Sequence, residues 1–379
     1  MPLEYPPLGL YIHIPWCVRK CPYCDFNSHA RSGSLPEEDY LQALLEDLSF
    51  EASAAGNRPV QTLFFGGGTP SLLSPEFYHR LLDALGKQLH LADDIEITLE
   101  ANPGTTEAAR FRGFLEAGIN RLSLGVQSFS ARQLERLGRI HDVRQAHRAI
   151  EEAQKAGFER LNVDLMFGLP GQTADEAVAD LREALAHELD HLSWYQLTIE
   201  PNTEFYSRPP ILPEDDDLMA IHERGREVLT KAGLVDYEVS AWSRPGEEAR
   251  HNLNYWQFGD YLALGAGAHG KLTIPAENRI LRYWKTRQPE AYLNRIGNRT
   301  AGQTEVAEEE RPLEFLMNAL RLRQGVPYTL YEPRTGLPLQ ALQQQLVALQ
   351  QRGWLHSDRL AATDEGRLYL DSLLAYFVS

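Results

Sequence analysis

The chain has only three cysteines among its 379 residues, and all three fall within the segment CVRKCPYC. An odd number of cysteines cannot pair completely as disulfides, and three thiolates are one short of a four-cysteine zinc site or an ordinary iron–sulfur cluster. The amino terminus, MPLEYPPLGLYIH, also lacks the basic region and apolar run of a secretory signal. Free cysteines without such a signal predict a protein of the reducing cytoplasm.

Long apolar runs and an excess of positive charge are missing as well. No apolar run reaches the roughly 18 residues that a membrane span requires. Lys and Arg total 37 against 53 Asp and Glu, which gives a formal net charge of −16. Because phosphate neutralisation requires clustered cations, this balance argues against nucleic acid as a general partner.

The chain does have a rhythm in which short apolar or β-branched runs alternate with amphipathic helical stretches. Strand–helix alternation predicts parallel βα units, either in an open sheet or in a full or partial barrel. Ligands bind at the carboxyl ends of such strands. Polar or small residues stand there in this chain, namely Gly66 to Thr69, Glu100, Asn102, Gln127 and Asp164. The six predicted strands are 8–16, 61–70, 95–104, 121–129, 161–170 and 192–201.

After residue 201 the rhythm loosens. Two further strands are predicted at 235–242 and 261–270, with HNLNYW between them, and helical segments dominate from about residue 311. The order of those helices, with GWLHSDRLAA as a small hairpin, resembles a winged-helix module, and its nearly neutral charge indicates a packing or lid role. We therefore predict three domains: a barrel at 1–235, a β-rich extension carrying HNLNYW at 236–304, and a winged-helix-like domain at 311–379.

The cysteines Cys17, Cys21 and Cys24 form C-x3-C-x2-C directly after the first predicted strand. One interpretation is a zinc site completed by His13 or His29. A second is a set of inert buried thiols. A third is a [4Fe–4S] cluster with three protein ligands, whose open iron binds a small chelating molecule. Spacing this tight in a loop rarely buries all three thiols, which argues against the second interpretation.

The same motif resembles that of the radical S-adenosylmethionine (SAM) superfamily, and Tyr23 fills the aromatic position before the third cysteine. YIHIPWC, FFGGGTPSLL, LEANPG, SLGVQSF, LGRIH and DLMFGLPGQT together resemble the HemN-like subgroup, which includes the oxygen-independent coproporphyrinogen III oxidases. The resemblance covers essentially the whole chain. It implies an α/β fold, a partial (β/α)6 TIM-type barrel with a small α+β extension and the winged-helix-like domain. It also implies a [4Fe–4S] cluster that chelates SAM and can release a 5′-deoxyadenosyl radical from it.

The resemblance further implies which residues contact SAM. Ordinary structural ion pairing is the alternative for the charged members of the set. Their positions at strand ends, or just beyond one, favour binding. The implied contacts are Tyr11, Gly67, Gly68, Thr69, Glu100, Gln127, Arg139 and Asp164.

Two features resemble the HemW family, relatives of the oxidases proposed to be heme chaperones. Phe26 stands where the oxidases carry a further cysteine, and HNLNYW begins at His251. The resemblance implies that heme is bound and delivered to apo-hemoproteins such as respiratory enzymes, with a porphyrinogen oxidase as the alternative function. His251 is the candidate heme ligand, against a hydrogen-bonded loop histidine, and His269 is a second candidate. Peripheral membrane contact and a homodimer stay open.

Overall fold

The strands of the chain were located in a computed structural model that describes residues 2–31, 33–104 and 109–378. Most strands are short runs of apolar residues with buried side chains, as the sequence predicts. They are β1 (Leu8–Ile14), β2 (Trp16–Cys17), β3 (His29–Ala30), β4 (Val60–Gly67), β5 (Leu91–Ala101), β6 (Arg121–Gln127), β7 (Arg160–Phe167), β8 (His191–Gln196), β9 (Val235–Glu238), β10 (Ala241–Ser243), β11 (Asp260–Leu264), β12 (His269–Ile274), β13 (Arg279–Lys285) and β14 (Thr300–Glu305).

The helices alternate with the strands up to β8 and then predominate near the carboxyl terminus. Side-chain caps begin several of them; Asp142 and Thr173 each form a capping box with the residue three positions later. The helices are α1 (Glu37–Ala55), α2 (Pro75–Gln88), α3 (Phe111–Glu116), α4 (Ala131–Arg136), α5 (Val143–Ala156), α6 (Ala174–Leu185), α7 (Glu204–Ser207), α8 (Asp215–Lys231), α9 (Arg250–Trp256), α10 (Pro289–Asn294), α11 (Arg311–Ala319), α12 (Tyr331–Thr335), α13 (Gln343–Gln351), α14 (Asp364–Leu368) and α15 (Leu370–Leu374).

One large sheet organises the molecule, in the order β14-β13-β12-β11-β1-β4-β5-β6-β7-β8-β10-β9. The six strands predicted from the alternating rhythm lie side by side and parallel, from β1 to β8. This confirms the α/β barrel-type fold class. A seventh strand, β11, also runs parallel to β1, with Leu8 opposite Asp260 and Ile12 opposite Leu264. The remaining strands extend both edges in antiparallel pairs.

Strand β1 shows why these segments form central strands. Six of its seven residues are buried, and only Tyr11 is partly exposed. A strand covered on both faces, as in a parallel sheet flanked by helices, needs a nearly continuous apolar run rather than alternation. The carboxyl ends of the parallel strands therefore meet at one edge of a well-packed sheet, which fixes the positions of the side chains there.

The carboxyl-terminal helices form a second apolar core. Phe315 and Trp354 of this region pack in one cluster with Phe258 and Ile280, which belong to the sheet side. A short bridge between Leu355 and Ala362 marks the predicted hairpin. No helix in the described ranges is both long and apolar enough to cross a bilayer.

The segment HNLNYW lies within helix α9, which packs against β1 and β4 and leads directly into β11. Its histidine and its tyrosine are four residues apart and therefore lie on the same face of the helix. This placement brings the segment against the first strand, where a Cβ on Gly9 would lie 3.4 Å from the His251 ring.

Candidate functional site

A cavity at the carboxyl ends of the parallel strands contains all three cysteines; we call it the cysteine cavity. Its volume is 250 Å³. Strand ends of β4, β5, β6 and β7 supply one wall, and the loop after β2 supplies the other. Of the predicted site residues, it is lined by Cys17, Cys21, Tyr23, Cys24, Gly67, Gly68, Thr69, Glu100, Gln127, Arg139 and Asp164.

The three thiols occupy one short loop. Cys17 is buried at the end of β2, and Cys21 and Cys24 are partly exposed across a turn closed by the Cys24 N–H and the Cys21 carbonyl at 3.1 Å. Burial raises the pKa of the Cys17 thiol, and the nearby Cys24 and Cys21 raise it further, whereas hydrogen bonds with Thr69 and Ser28 lower it. Burial of this kind favours the neutral thiol until positive charge is supplied.

The arrangement of ligating groups bears on the zinc alternative. Among the residues that the structure describes, no three Cys, His, Asp or Glu side chains converge on a point where a single ion could bind. A mononuclear zinc site needs such convergence, whereas an iron–sulfur cluster lets each thiolate bind a different iron. Three thiols in one short loop are the protein ligands that a [4Fe–4S] cluster with one open iron would need.

Two glycines let the end of β4 approach the cysteine loop. Gly67 has φ +117°, and a Cβ there would lie 2.4 Å from the Cε1 atom of His13. A Cβ on Gly68 would lie 2.5 Å from the carbonyl oxygen of Trp16. The same Trp16 carbonyl accepts a hydrogen bond from the Thr69 N–H at 2.7 Å. Only glycine permits this approach, so the backbone itself forms a cradle beside the cysteines.

Two carboxylates face the same cavity without an ion pair to any described residue. Burial raises the pKa of Glu100 to about 8, and the charge of Asp164 raises it further. The hydrogen bond that Glu100 accepts from the Gly67 N–H at 3.1 Å offsets part of this rise. The pKa of Asp164 is also raised by burial, although Ser123 and Asn162 donate to it at 3.2 and 2.8 Å. Two buried carboxylates without a cation would be stabilised by a positively charged ligand.

Arg139 and Gln127 occupy the side of the cavity near β6. The guanidinium of Arg139 donates to the Cys21 thiol at 3.5 Å and to the Gly125 carbonyl at 2.7 Å, while its buried Nε has no partner in the described ranges. Gln127 has φ +71° and accepts a hydrogen bond from Tyr195 at 2.7 Å. Arg139 therefore ties the cysteine loop to β6 and still retains one free donor.

These observations fit the cluster and the ligand that the sequence resemblance implies. Three thiols share one wall, a glycine backbone approaches them, and two unpaired carboxylates lie opposite. SAM carries a sulfonium and an ammonium that such carboxylates would stabilise, and a carboxylate that an arginine donor would bind.

A second cavity adjoins the first; we call it the aromatic cavity. It has a volume of 470 Å³ and shares Phe26, Gly67 and Glu100 with the cysteine cavity. Tyr11, which the sequence places among the SAM contacts, lies here and not in the cysteine cavity. The further lining residues that bear rings or charges are His13, Asp25, Tyr255, Tyr261, His269, Trp284, Lys285 and Arg287.

His251 lines neither cavity. Its side chain is buried, with 1% exposed surface, and stacks on Phe64 at 5.1 Å between ring centroids. Thr62 Oγ1 is 2.8 Å from its Nδ1, and the Tyr255 hydroxyl is 2.9 Å from its Nε2. Burial lowers its pKa to about 3. Because both nitrogens are hydrogen-bonded inside the protein, the imidazole has no free lone pair for a ligand in this arrangement.

His269 and Arg287 stand at the wall of the aromatic cavity. The ring of His269 stacks near Trp284 at 6.3 Å, and burial and the neighbouring Arg282 and Arg287 lower its pKa. Arg287 is exposed and donates from Nε to Asn27 at 3.2 Å. A neutral imidazole and an exposed guanidinium therefore face the same space as several aromatic rings.

Sequence reasoning missed several lining residues. In the cysteine cavity these include Ser123, Gly125 and Tyr195. Tyr195 stands near the end of β8, so the strand-end pattern that singled out Gln127 could have found it. Trp284 and Arg287 at the aromatic cavity belong to the antiparallel edge, and nothing in their local sequence indicates that this edge folds toward the cysteine loop.

Comparisons with known proteins agree with this geometry. Residues 11–184 match the model of the radical SAM superfamily, and residues 306–369 match the HemN C-terminal domain. The chain is 51% identical to the heme chaperone HemW of Escherichia coli over 100% of both chains. It is 49% identical to the heme chaperone HemW of Haemophilus influenzae, with 99% of each covered.

A more distant relative and a solved structure extend these similarities. The mitochondrial radical S-adenosyl methionine domain-containing protein 1 of Bos taurus is 36% identical, covering 98% of this chain and 87% of that protein. Coproporphyrinogen III oxidase (HemN) of Escherichia coli, a radical SAM enzyme, matches with a TM-score of 0.82 at 23% identity, covering 98% of this chain and 90% of that one. At this identity the likeness concerns the fold.

Proposed function

The chain belongs to the HemW family of the radical SAM superfamily, and on that premise we propose that it binds heme in the aromatic cavity. The cysteine cavity then holds a [4Fe–4S] cluster through Cys17, Cys21 and Cys24, together with exchangeable SAM. The bound heme is delivered to apo-hemoproteins such as respiratory enzymes. The relatives from Escherichia coli and Haemophilus influenzae are heme chaperones by name, which supports carrying this role over to the present chain.

The observation that carries the proposal is the aromatic cavity beside the cysteine loop. Its 470 Å³ lies within the roughly 300–1,000 Å³ of small-molecule sites. Tyr255, Tyr261 and Trp284 offer ring faces and edges to a flat apolar macrocycle. Arg287 at the wall has two terminal nitrogens available for the propionate groups of heme, because only its Nε donates to a described residue.

The residues of the cysteine cavity support the cofactor part of the proposal. When bound, the cluster supplies an open iron that SAM chelates and an electron that can reach its sulfonium. Glu100 and Asp164 would face the positive charges of SAM, and the backbone of Gly67 and Gly68 would leave room for it. Glu100 and Gly67 line both cavities, so the two proposed sites share a wall.

The shared wall also favours a second candidate function. A tetrapyrrole lying directly beside SAM could be a substrate, as in an oxygen-independent coproporphyrinogen III oxidase. Phe26, however, stands in the wall between the cavities, at the position where the sequence resemblance places a further cysteine in the oxidases. A phenyl ring cannot ligate iron, which favours the chaperone over the oxidase.

A heme titration of the anaerobically reconstituted protein, followed by the heme absorption band, tests the proposal. We expect saturable binding in the wild type, binding weakened on the order of tenfold in Trp284→Ala, and unchanged binding in Tyr369→Ala, a ring outside both cavities. Coproporphyrinogen III is added to the same preparation with SAM and a reductant. Formation of protoporphyrinogen would favour the oxidase, and absence of saturable heme binding would overturn the chaperone proposal.

A further inference from the structure

The histidine and the tyrosine of HNLNYW form one hydrogen-bonded unit. They lie four residues apart on helix α9, with His251 Nε2 2.9 Å from the Tyr255 hydroxyl and the two rings edge to face at 4.7 Å. His251 is buried, whereas Tyr255 is partly exposed and lines the aromatic cavity. The segment therefore presents its tyrosine to the cavity and keeps its histidine behind that tyrosine.

The hydrogen bonds of Thr62 indicate which way the protons point. Its hydroxyl is buried, and its hydrogen-bond partner is His251 Nδ1 at 2.8 Å. The hydroxyl proton is satisfied when Thr62 donates to Nδ1, since a buried donor without an acceptor is costly. The remaining imidazole proton then lies on Nε2 and is donated to the oxygen of Tyr255. In this tautomer the proton of Tyr255 is free to point into the cavity.

We propose that the phenol oxygen of Tyr255 is an axial ligand of ferric heme and that His251 is the positioning residue that holds it; this rests on the proposed heme-binding function. Tyrosine oxygen is an established type of heme ligand in proteins. The exchange balances without an electron: the bond between ferric iron and a hydroxide ligand breaks, the bond between iron and the Tyr255 oxygen forms, and the tyrosine proton leaves with the hydroxide as water. The Nε2–H of His251 then donates to a phenolate.

The surroundings of Tyr255 orient its phenol but do not ionise it. Burial raises its pKa, and the neighbouring Tyr261 raises it further, so the positive charge that stabilises the phenolate comes from the ferric iron itself. Tyr261 packs against its ring edge to face at 4.6 Å, so the phenol is held from two sides, by Tyr261 and by His251. His269 is the rival ligand in the same cavity, with no hydrogen bond to a described residue and a ring that is exposed. An oriented oxygen requires less ordering on binding than an exposed side chain does, and this favours Tyr255.

The experiment compares ferric heme bound to the wild type with four variants, using resonance Raman and visible spectra as readouts besides affinity. We expect phenolate modes and a phenolate-to-iron charge-transfer band in the wild type. Tyr255→Phe should lose both and bind heme on the order of tenfold more weakly. The matched control Tyr261→Phe lines the same cavity and should keep both signals. His251→Gln should keep the band at lower intensity, and His269→Ala should leave it unchanged.

Reduction of the heme sharpens the test. A hard anionic oxygen prefers ferric iron, so dithionite should weaken binding to the wild type, whereas an imidazole ligand would retain ferrous heme. The wild-type Raman spectrum needs no variant, so misfolding of Tyr255→Phe cannot obscure the answer. Saturable heme binding without phenolate modes, or their loss in His269→Ala, would overturn the ligand assignment alone. Absence of saturable binding in the wild type would overturn the proposed function itself.

Discussion

The cysteine cavity and the aromatic cavity share a wall that includes Glu100, but the polar groups that each cavity has to itself differ. In the cysteine cavity, Asp164 joins Glu100 as a second carboxylate without an ion pair to described residues, and burial raises the pKa of each. In the aromatic cavity several of the remaining polar groups are hydrogen-bonded within the protein. The Tyr11 hydroxyl lies 3.0 Å from His13 Nδ1, and Lys285 donates to the buried Asp47 at 2.6 Å.

This difference shows what each cavity is prepared to bind. Buried carboxylates without an ion pair are costly until a ligand brings positive charge, which agrees with the SAM that we propose for the cysteine cavity. The several rings of the aromatic cavity agree with the flat ligand that we propose there. Under the proposed function, the cofactor site and the heme site therefore differ in their charged groups, and four predictions test this distinction.

The largest effect is expected from the cysteines. Replacing Cys17, Cys21 or Cys24 with Ala should abolish the cluster, because three ligands leave no substitute. Iron and sulfide content and the cluster absorbance of the reconstituted protein measure this loss. Heme affinity should change little, because the aromatic cavity contains none of the three thiols. Loss of heme binding together with the cluster would mean that the two cavities are not independent sites.

A smaller effect, a loss of folding stability, is expected from Gly67→Ala in the wall that both cavities share. Its φ of +117° and the 2.4 Å approach of a Cβ to His13 should lower the free energy of unfolding by roughly 1–3 kcal/mol. Gly246→Ala is the matched control: its φ is +92°, but nothing lies within 4 Å of its Cβ. Urea unfolding compares the two. Equal losses of unfolding free energy in both variants would mean that the positive φ alone, and not the close approach to His13, causes the effect.

The pH dependence of stability should reveal Glu100. Its pKa is raised to about 8 in the folded chain from an ordinary value of 4.5, so the folded state holds this proton more tightly than the unfolded state does. Its contribution to stability is therefore fully present below pH 4.5 and is lost as pH rises toward 8. In the protein without SAM or cluster, Glu100→Gln should raise the melting temperature relative to wild type more at pH 8 than at pH 5. A difference that is the same at both pH values would contradict this assignment.

The smallest effect is expected from Arg287→Gln at the wall of the aromatic cavity. Loss of a partly solvated contact to a propionate should weaken heme binding by a few-fold, about 1 kcal/mol, and the deficit should shrink as salt is added. Arg208→Gln is a suitable control, because Arg208 is exposed and lines neither cavity. Titrations at low and high salt measure the difference. A deficit that is independent of salt would argue against a charge contact.

Much of the fold could be predicted because its signal is local. Each of the six parallel strands is a short apolar run, and a strand buried on both faces needs such a run wherever it lies. The parallel position of β11 beside β1 was not predictable, since Asp260 and Leu8 are paired only through the folding of the chain between them. Similarly, HNLNYW carries no strong helical pattern of its own, yet it forms a helix because it packs against β1 and β4.

The two cavities also differ in how far their lining residues could be predicted from the sequence. Most predicted contacts at the cysteine cavity, such as Glu100, Gln127 and Asp164, stand at strand ends, and parallel strands bring their ends together by construction. The aromatic cavity draws on residues from β1, α9 and the antiparallel edge, which no sequence period connects. His251 illustrates the limit: its motif points to a role in heme binding, but its hydrogen bonds and its neighbours follow only from the packed structure.

By itself, the sequence determined the αβ rhythm, the three thiols in one loop, and the polar strand ends around them, because each is set by residues close in the chain or by the geometry of a parallel sheet. The tertiary structure alone decided that a second cavity lies against the first. It also decided that the tyrosine of HNLNYW, and not the histidine of that segment, lines this second cavity. Those outcomes depend on contacts between residues far apart in the chain, such as Thr62 with His251. Side-chain packing over such distances leaves no periodic trace in the sequence.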